Sequence, residues 1–207
     1  MTQNRIEMLS LEESLRVGTA LGLHEPIARL NIFRTLFHRP RTARAIADLL
    51  LSLLLDSDIG HRRRELIIMR IAWVTGSEYE WAQHWPLAQE MFECTAAELL
   101  AVREWHGADC FDAADRAVLT ATDELLDTGD LCDETWRACF ERLGRDAAIE
   151  MVAAIATWGL ISKLARGLRV PLEEGVEGWP PDGKVPPLVT SRGVHGVGPR
   201  EKGDRQD

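Results

Sequence analysis

Residues 65–84 read ELIIMRIAWVTGSEYEWAQH, and this stretch decides the predicted fold. Its first half is an almost uninterrupted apolar run from Leu66 to Val74, which predicts a buried helix. Gly76 suits the left-handed position that ends a helix, and Ser77 suits the start of the next helix. The stretch therefore predicts two consecutive helices joined by a tight turn.

The second of these helices carries polar groups on one face. Residues at i, i+3, i+4 and i+7 share one side of an α-helix. The stripe predicted here consists of Ser77, Glu80, Trp81 and His84. A carboxylate, an imidazole and an indole beside a buried helix are typical of an active site. Glu65, at the start of the preceding helix, is a candidate to join them.

Helical periodicity also dominates the rest of the chain, and alternating strand patterns are scarce. Ser10 and Thr95 are expected helix caps, and Thr95 has a glutamate three residues later. The predicted helices cover residues 9–21, 30–36, 42–55, 62–75, 77–92, 95–104, 112–127, 133–143 and 146–168. The sequence therefore predicts an all-α fold.

The composition changes after this helical region. Thirteen of the 37 residues from 171 to 207 are glycine or proline, which disfavours regular structure. This segment is predicted to be either a solvated tail or a strap over a neighbouring subunit. The candidate anchors of a strap are Trp179, Val185, Leu188 and Val189. The predicted organisation is an N-terminal helical extension (1–29), a helical domain (30–170) and the tail or strap (171–207).

Composition excludes several classes of function. The chain has 207 residues and a net charge of -9, which argues against nucleic acid as the main partner. We expect the basic cluster Arg62–Arg64 to be a solvated helix start or a set of ion-pair donors. The N-terminus lacks a signal-peptide pattern and the apolar run 49–55 is too short to span a bilayer, so a cytoplasmic protein without a membrane partner is predicted.

The cysteine and histidine spacing predicts no metal site. No C-x-x-C pair and no zinc-ligand spacing is present. In a cytoplasmic protein, reduced thiols that pack in the core are expected rather than redox groups. The four thiols are those of Cys94, Cys110, Cys132 and Cys139.

The polar stripe has two interpretations that stay open. Ser77 and Glu80 have the spacing of a capping box, in which hydroxyl and carboxylate bind the helix-start amides, yet Glu80 could equally contact a substrate. His84 is either a structural histidine or a general acid and base tuned by a glutamate. If Glu65 faces inward, its charge needs a partner, and the candidates are Arg70, His84 and Tyr79.

The aromatic side chains also have two interpretations. They could line a substrate pocket or pack in the core, and core packing is favoured for Trp73. Tyr79 is the only tyrosine, so its hydroxyl is a specific candidate for substrate binding. The aromatic set consists of Trp73, Tyr79, Trp81, Trp85 and Trp158.

Glu65, the segment Arg70-Ile71-Ala72-Trp73 and the segment from Gly76 to His84 together resemble the carboxymuconolactone decarboxylase family, which includes the AhpD-like alkylhydroperoxidases. The AhpD-like pattern is a glutamate, then C-x-x-C, then three residues and a histidine. Glu65 and His84 match its glutamate and histidine, while Ser77 and Glu80 stand at its two cysteine positions. The resemblance extends from about residue 30 to 174 and implies an AhpD-like helical bundle followed by an irregular Gly/Pro-rich C-terminal tail.

The departure from the family pattern changes the expected chemistry. Peroxide reduction by a dithiol needs a nucleophilic thiolate and a resolving thiol, and Ser77 and Glu80 supply neither. The resemblance then implies a cofactor-independent, carboxymuconolactone decarboxylase-like enzyme, a carboxy-lyase acting on a small carboxylated or oxygenated ring compound. His84 is the expected general acid and base, with Glu65 and Glu80 as its catalytic partners. The expected substrate contacts are Ser77, Tyr79, Trp81, Trp85 and Trp158.

Two rival functions remain at this stage. One is a non-catalytic ligand-binding or assembly protein on the same scaffold, in which Ser77 and Glu80 only cap a helix. The other is a thiol peroxidase that uses relocated cysteines, which the missing dithiol disfavours. The resemblance also implies a homo-oligomer, trimeric or hexameric, with the site at or near subunit interfaces.

Overall fold

The computed structural model describes residues 4–187, and over this range the chain is helical and contains no strand. The all-α prediction is confirmed. The α-helices are α1 (Leu11–Ala20), α2 (Glu25–Arg29), α3 (Asn31–Leu36), α4 (Pro40–Leu55), α5 (His61–Thr75), α6 (Glu78–Met91), α7 (Ala96–Ala101), α8 (Ala113–Thr128), α9 (Asp133–Leu143) and α10 (Arg145–Leu168). A 3-10 helix (Val102–Gly107) follows α7 directly.

The central helix is α5, which packs against α6, α8 and α10. Its side chains from Arg64 to Met69 are all buried, as the apolar run predicts. The helix ends at Gly76, whose left-handed backbone (φ 69°, ψ 34°) suits glycine because no Cβ is present. The Ser77 amide returns to the carbonyl of Ala72 at 2.8 Å, which closes the turn. This turn brings the start of α6 beside α5.

The second core helix is α10, which is long and apolar enough to cross a membrane by length and composition alone. In its most apolar window, 56% of the residues are buried inside the protein. Met151, Ile155 and Trp158 lie in the core that α10 shares with α5 and α8. The apolarity of α10 is thus explained by helix packing in a soluble helical domain.

Residues 171–187 lie against helices of the same chain, as a strap. The Glu173 carboxylate accepts hydrogen bonds from the Asn31 amide at 2.8 Å and the Tyr79 hydroxyl at 2.7 Å. Further on, Trp179 is buried beside Trp73 and Trp81.

Further contacts hold the end of the strap. Pro180 accepts the indole N–H of Trp81 at 2.7 Å, and Asp182 pairs with Arg103 at 2.9 Å. The described part of this irregular strap lies on its own chain, and a contact with a neighbouring subunit stays a prediction. Val185 is 63% exposed, and Leu188 and Val189 lie outside the described residues.

Two helix boundaries differ from the sequence prediction. Pro40 begins α4 instead of only ending the preceding helix, because the first turn of a helix needs no N–H donor there. The predicted helix 95–104 divides into α7 and the 3-10 helix, with non-helical angles at Glu104. The short helix α2 was missed. The N-terminal helices share a core with Tyr79 of α6 and Ile161 of α10, and the domain limits at 29 and 170 stay predictions.

Candidate active site

The structure brings Glu65, His84 and Glu80 together in the interior. His84 Nδ1 lies 2.7 Å from Glu65 Oε2, and His84 Nε2 lies 3.9 Å from Glu80 Oε2. The side chain of His84 is 11% exposed, that of Glu65 is 0% exposed and that of Glu80 is 5% exposed. The imidazole therefore has one nitrogen hydrogen-bonded to a buried carboxylate and the other directed at a second carboxyl group.

Arg64 completes this cluster, and the sequence analysis missed it. Its guanidinium donates to Glu65 Oε1 from Nη2 at 2.9 Å and from Nε at 3.2 Å. The side chain is fully buried. Of the three partners proposed for Glu65 from sequence, His84 contacts it, whereas Arg70 pairs with Asp123 at 2.6 Å. The sequence signal that could have indicated Arg64 is an arginine directly before a glutamate at the start of a buried helix.

The two other arginines of the basic cluster behave as predicted. Arg62 pairs with Glu98 at 2.6 Å and with Asp115 at 2.9 Å, and Arg63 pairs with Asp115 at 3.0 Å. These are partly exposed ion pairs on the surface. Arg64 differs from its neighbours because the helix turns its side chain into the core.

The neighbouring charges set the protonation of the three acid–base groups. Burial by itself would raise the pKa of Glu65, but His84 and Arg64 outweigh it and hold this pKa below its ordinary value. Burial would lower the pKa of His84, and the two carboxylates outweigh it and raise this pKa. Burial raises the pKa of Glu80 to about 7, with His84 opposing the shift and Glu65 adding to it.

These shifts define the roles of the two imidazole nitrogens. Glu65 stays ionised and accepts from Nδ1–H, so Nε2 is the nitrogen free to exchange a proton. Glu80, with its pKa of about 7, can either donate or accept near neutral pH. The cluster can therefore supply or remove one proton at a buried position.

Ser77 is not the helix cap that its spacing predicts. Its side chain accepts no capping hydrogen bond, and Glu80 is directed at His84 instead of the helix start. The Ser77 hydroxyl is fully buried, yet it has no hydrogen-bond partner within residues 4–187. Buried polar groups are nearly always paired, so an unpaired hydroxyl on the same helix face suggests a role beyond packing.

The predicted aromatic contacts divide into two groups. Trp158 meets the His84 ring edge-on, with 6.2 Å between ring centroids. Trp81 packs between Trp73 and Trp179, and Trp85 stacks on it at 6.1 Å. Trp158 is thus beside the acid–base groups, while Trp81 is committed to an aromatic core.

Tyr79 faces away from His84. Its hydroxyl donates to Glu173 and accepts from the Ile32 amide at 3.2 Å. Burial, followed by the charge of Glu173, raises its pKa. The lone tyrosine therefore ties the strap and α3 to α6.

A large groove lies apart from the acid–base groups. This groove of about 1140 Å³ runs between α5, α8 and α10, and its wall includes Arg70, Asp123 and Lys163. His84, Glu65 and Glu80 do not line it. The converging acid–base groups are therefore separate from this groove.

All four cysteines are free. Cys94 and Cys139 are buried, and burial raises their pKa values to about 12 and about 11. Cys110 and Cys132 are exposed. Within the described residues, no group of three or more side chains is arranged to hold a metal ion.

Several solved structures have a similar fold. The chain is similar to an alkylhydroperoxidase AhpD core, a peroxidase-related protein from Ralstonia eutropha JMP134, with TM-score 0.67 and 20% identity over 84% of this chain and 94% of that one. A peroxidase-related protein from Silicibacter sp. TM1040 has TM-score 0.65 and 11% identity over the same shares. The debrominase Bmp8, as a variant in complex with 2,3,4-tribromopyrrole, has TM-score 0.64 and 21% identity, also over 84% and 94%. The fold is AhpD-like.

The sequence comparison finds a matching family. Residues 40–124, which contain α5, α6 and the acid–base groups, match the model of the carboxymuconolactone decarboxylase family. The resemblance inferred from Glu65 and the segment ending at His84 is thereby confirmed. A comparison with curated proteins finds no match.

Proposed function

We propose that the protein is a cofactor-independent, carboxymuconolactone decarboxylase-like enzyme that acts on a small carboxylated or oxygenated ring compound. The observation that carries this proposal is the orientation of His84, with Nδ1 bonded to Glu65 and Nε2 directed at Glu80. An imidazole fixed at one nitrogen and free at the other is suited to general acid and base catalysis.

The proposed step is decarboxylation. The bond between a ring carbon and its carboxylate breaks, carbon dioxide leaves, and the electron pair is delocalised into an adjacent carbonyl of the ring. Nε2–H of protonated His84 then transfers its proton to that carbon. Protonated Glu80 restores the Nε2 proton and is itself reprotonated from the solvent, so that one proton is taken up for each carbon dioxide released. The raised pKa values of His84 and Glu80 favour the protonated forms that this step needs.

Two further groups support a ring-shaped substrate. The unpaired Ser77 hydroxyl is available to bond an oxygen of a ligand, and Trp158 offers an apolar wall beside His84. The debrominase of similar fold binds a small aromatic ring, tribromopyrrole. In this proposal Tyr79, Trp81 and Trp85 shape the site through packing.

The experiment measures carbon dioxide release from a panel of small lactone and oxo acids. His84→Gln is expected to lower turnover about 10²–10⁴-fold. His24→Gln, which changes an exposed histidine at the start of α2, serves as the matched control and should not alter turnover. The rate of the native enzyme should fall as pH rises, because protonated His84 and Glu80 are then lost. Equal turnover in both variants would overturn the assignment.

The buried position of His84 favours a second candidate, a non-catalytic ligand-binding or assembly protein. His84 is 9% exposed and lies outside the groove between α5, α8 and α10. Such a protein would bind a ring acid, detected by calorimetry, without consuming it. Binding that persists in His84→Gln, with no turnover in either form, would select this alternative.

We also propose a cytoplasmic homo-oligomer, trimeric or hexameric, without nucleic-acid or membrane partners. Support comes from exposed apolar side chains on α9 and α10: Trp136, Phe140, Ile149 and Leu160. Light scattering coupled to gel filtration measures the mass, and Ile149→Glu should shift it toward the monomer.

Thiol peroxidase activity is disfavoured because Cys94 and Cys139 are buried with raised pKa values. Thiol-dependent peroxide consumption, abolished by alkylation, would contradict this.

A further inference from the structure

Arg64 is held more tightly than its place in a basic cluster suggests. It makes two hydrogen bonds to Glu65 Oε1, and its Nη1 donates to the carbonyls of Leu53 at 3.3 Å and Leu54 at 3.1 Å. His61 Nδ1 lies 2.7 Å from the same nitrogen. The guanidinium is therefore fixed between the end of α4 and the Glu65 carboxylate.

This fixation has a consequence at the opposite oxygen of Glu65. A carboxylate has two oxygens in one plane, and Arg64 holds Oε1 while Oε2 accepts from His84 Nδ1 at 2.7 Å. Two donors on two oxygens define the orientation of the whole carboxylate. With only one donor, the carboxylate could rotate about its last bond and leave the imidazole.

We propose that Arg64 is a positioning residue for proton transfer: by orienting Glu65 it keeps the proton of neutral His84 on Nδ1 and leaves Nε2 directed at Glu80. The effect of Arg64 on turnover rests on the proposed function. The orientation of the imidazole itself can be tested without any substrate.

The charged groups around His84 are few. Arg64 and Glu65 face it from α5 and Glu80 from α6, while α10 contributes the uncharged Trp158. On the strap side, Glu173 is bonded to Tyr79 and Gln83. The charges that act most strongly on His84 are therefore those of Glu65, Glu80 and Arg64.

The chain offers a matched control on the same helix. Arg70 also bonds a carboxylate, that of Asp123 at 2.6 Å, and two backbone carbonyls, those of Val102 at 2.8 Å and Arg103 at 3.0 Å. Arg70→Met therefore removes a comparable set of bonds without touching Glu65. It separates a loss of general stability from a loss of imidazole orientation.

The experiment records nitrogen chemical shifts of the His84 imidazole in ¹⁵N-histidine-labelled protein, above the pH at which it titrates. The His84 signal is assigned by its loss in His84→Gln. The native protein and Arg70→Met are expected to hold the Nδ1–H form predominantly. Arg64→Met should shift the population toward Nε2–H, and Arg64→Lys, which keeps a charged donor, should shift it less.

Outcomes of this experiment are distinct from those of the turnover assay. If Arg64→Met keeps the Nδ1–H form as fully as Arg70→Met does, Arg64 is only a structural link between α4 and α5 and the inference is overturned. Arg64→Gln, which retains a donor for the α4 carbonyls, answers the same question if Arg64→Met does not fold. With an active substrate, Arg64→Met should lower kcat by about tenfold or more with little change in KM. Absence of turnover in the native protein counts against the proposed function and leaves the imidazole result intact.

Discussion

Helices α6 and α7 begin with the same local pattern and use it differently. Thr95 and Glu98 form a complete capping box on the surface, with the Thr95 hydroxyl accepting from the Glu98 amide at 3.2 Å. Ser77 and Glu80 have the same spacing, yet neither caps the helix. The start of α6 is buried beside α5 and α10, and the Glu80 carboxyl group is directed at His84 instead of at the helix start. A serine or threonine followed by a glutamate is thus a cap only where solvent leaves both side chains free to fold back.

The largest expected effect concerns the charge that α5 supplies to the α6 site. Glu65→Gln leaves the buried Arg64 without its carboxylate and should lower the free energy of unfolding by about 3–5 kcal/mol. Glu98→Gln is the control, because Arg62 keeps Asp115 as a partner in that variant. Its free energy of unfolding should fall by only about 1 kcal/mol. Urea unfolding at pH 7 measures both. Equal losses would show that the α6 start is no more dependent on buried charge than the α7 start.

The next effect depends on pH. The pKa of Glu80 is raised to about 7 from its ordinary 4.5, so the folded state binds this proton more tightly than the unfolded state does. Wild-type stability is therefore lost as pH rises from about 4.5 through about 7, by up to about 3 kcal/mol from this group. Glu80→Gln lacks the titrating proton. Its free energy of unfolding should match the wild type near pH 4.5 and exceed it near pH 8.

Glu78→Gln provides the control for that pH series. Glu78 is exposed one helix position from the turn and should show no comparable gain at pH 8. If Glu80→Gln and Glu78→Gln have parallel pH profiles, Glu80 is not titrating as a buried acid and the contrast with Glu98 is lost.

A smaller effect is expected at the working cap. Thr95→Ala removes the hydroxyl that accepts from the Glu98 amide and should lower the free energy of unfolding by about 1 kcal/mol. Thermal or urea unfolding resolves a change of this size. An unchanged free energy of unfolding would mean that water replaces the cap. The start of α7 would then, like that of α6, not depend on a side-chain cap.

The smallest effect is expected at the serine that does not cap. Ser77→Ala removes a buried hydroxyl without a partner in the described structure, so stability should change by less than about 0.5 kcal/mol or rise slightly. Substrate affinity should fall in the same variant if the hydroxyl contacts the ligand. A loss of stability as large as that of Thr95→Ala would restore the capping interpretation.

Sequence patterns succeed here where a few neighbouring residues decide the structure. The left-handed turn at Gly76 and the cap at Thr95 depend on local backbone geometry, and both were predicted. The meeting of Glu65 and His84 follows from that turn and from the family resemblance. These features need no knowledge of which other helices pack nearby.

The rest depends on packing between distant segments. Arg64 was grouped with Arg62 because the three arginines are adjacent, although only its side chain turns into the core. Tyr79 was assigned to the substrate, but Glu173 of the strap binds its hydroxyl. The capping interpretation of Ser77 stayed open because burial cannot be read from a four-residue pattern. Each of these assignments requires the three-dimensional neighbours of a side chain.

The aromatic contact between α6 and the strap has a further consequence for the order of assembly. The hydrogen bond from the Trp81 indole to the carbonyl of Pro180 joins residues 99 positions apart. During synthesis, α5 and α6 leave the ribosome well before Trp179 is added to the chain. The Trp81 indole can therefore make its final contacts only after the helices have been synthesised. Until then the surface that Trp179 later covers is open to other apolar groups. The closing of this surface is a late, long-range event that follows the formation of the helices themselves.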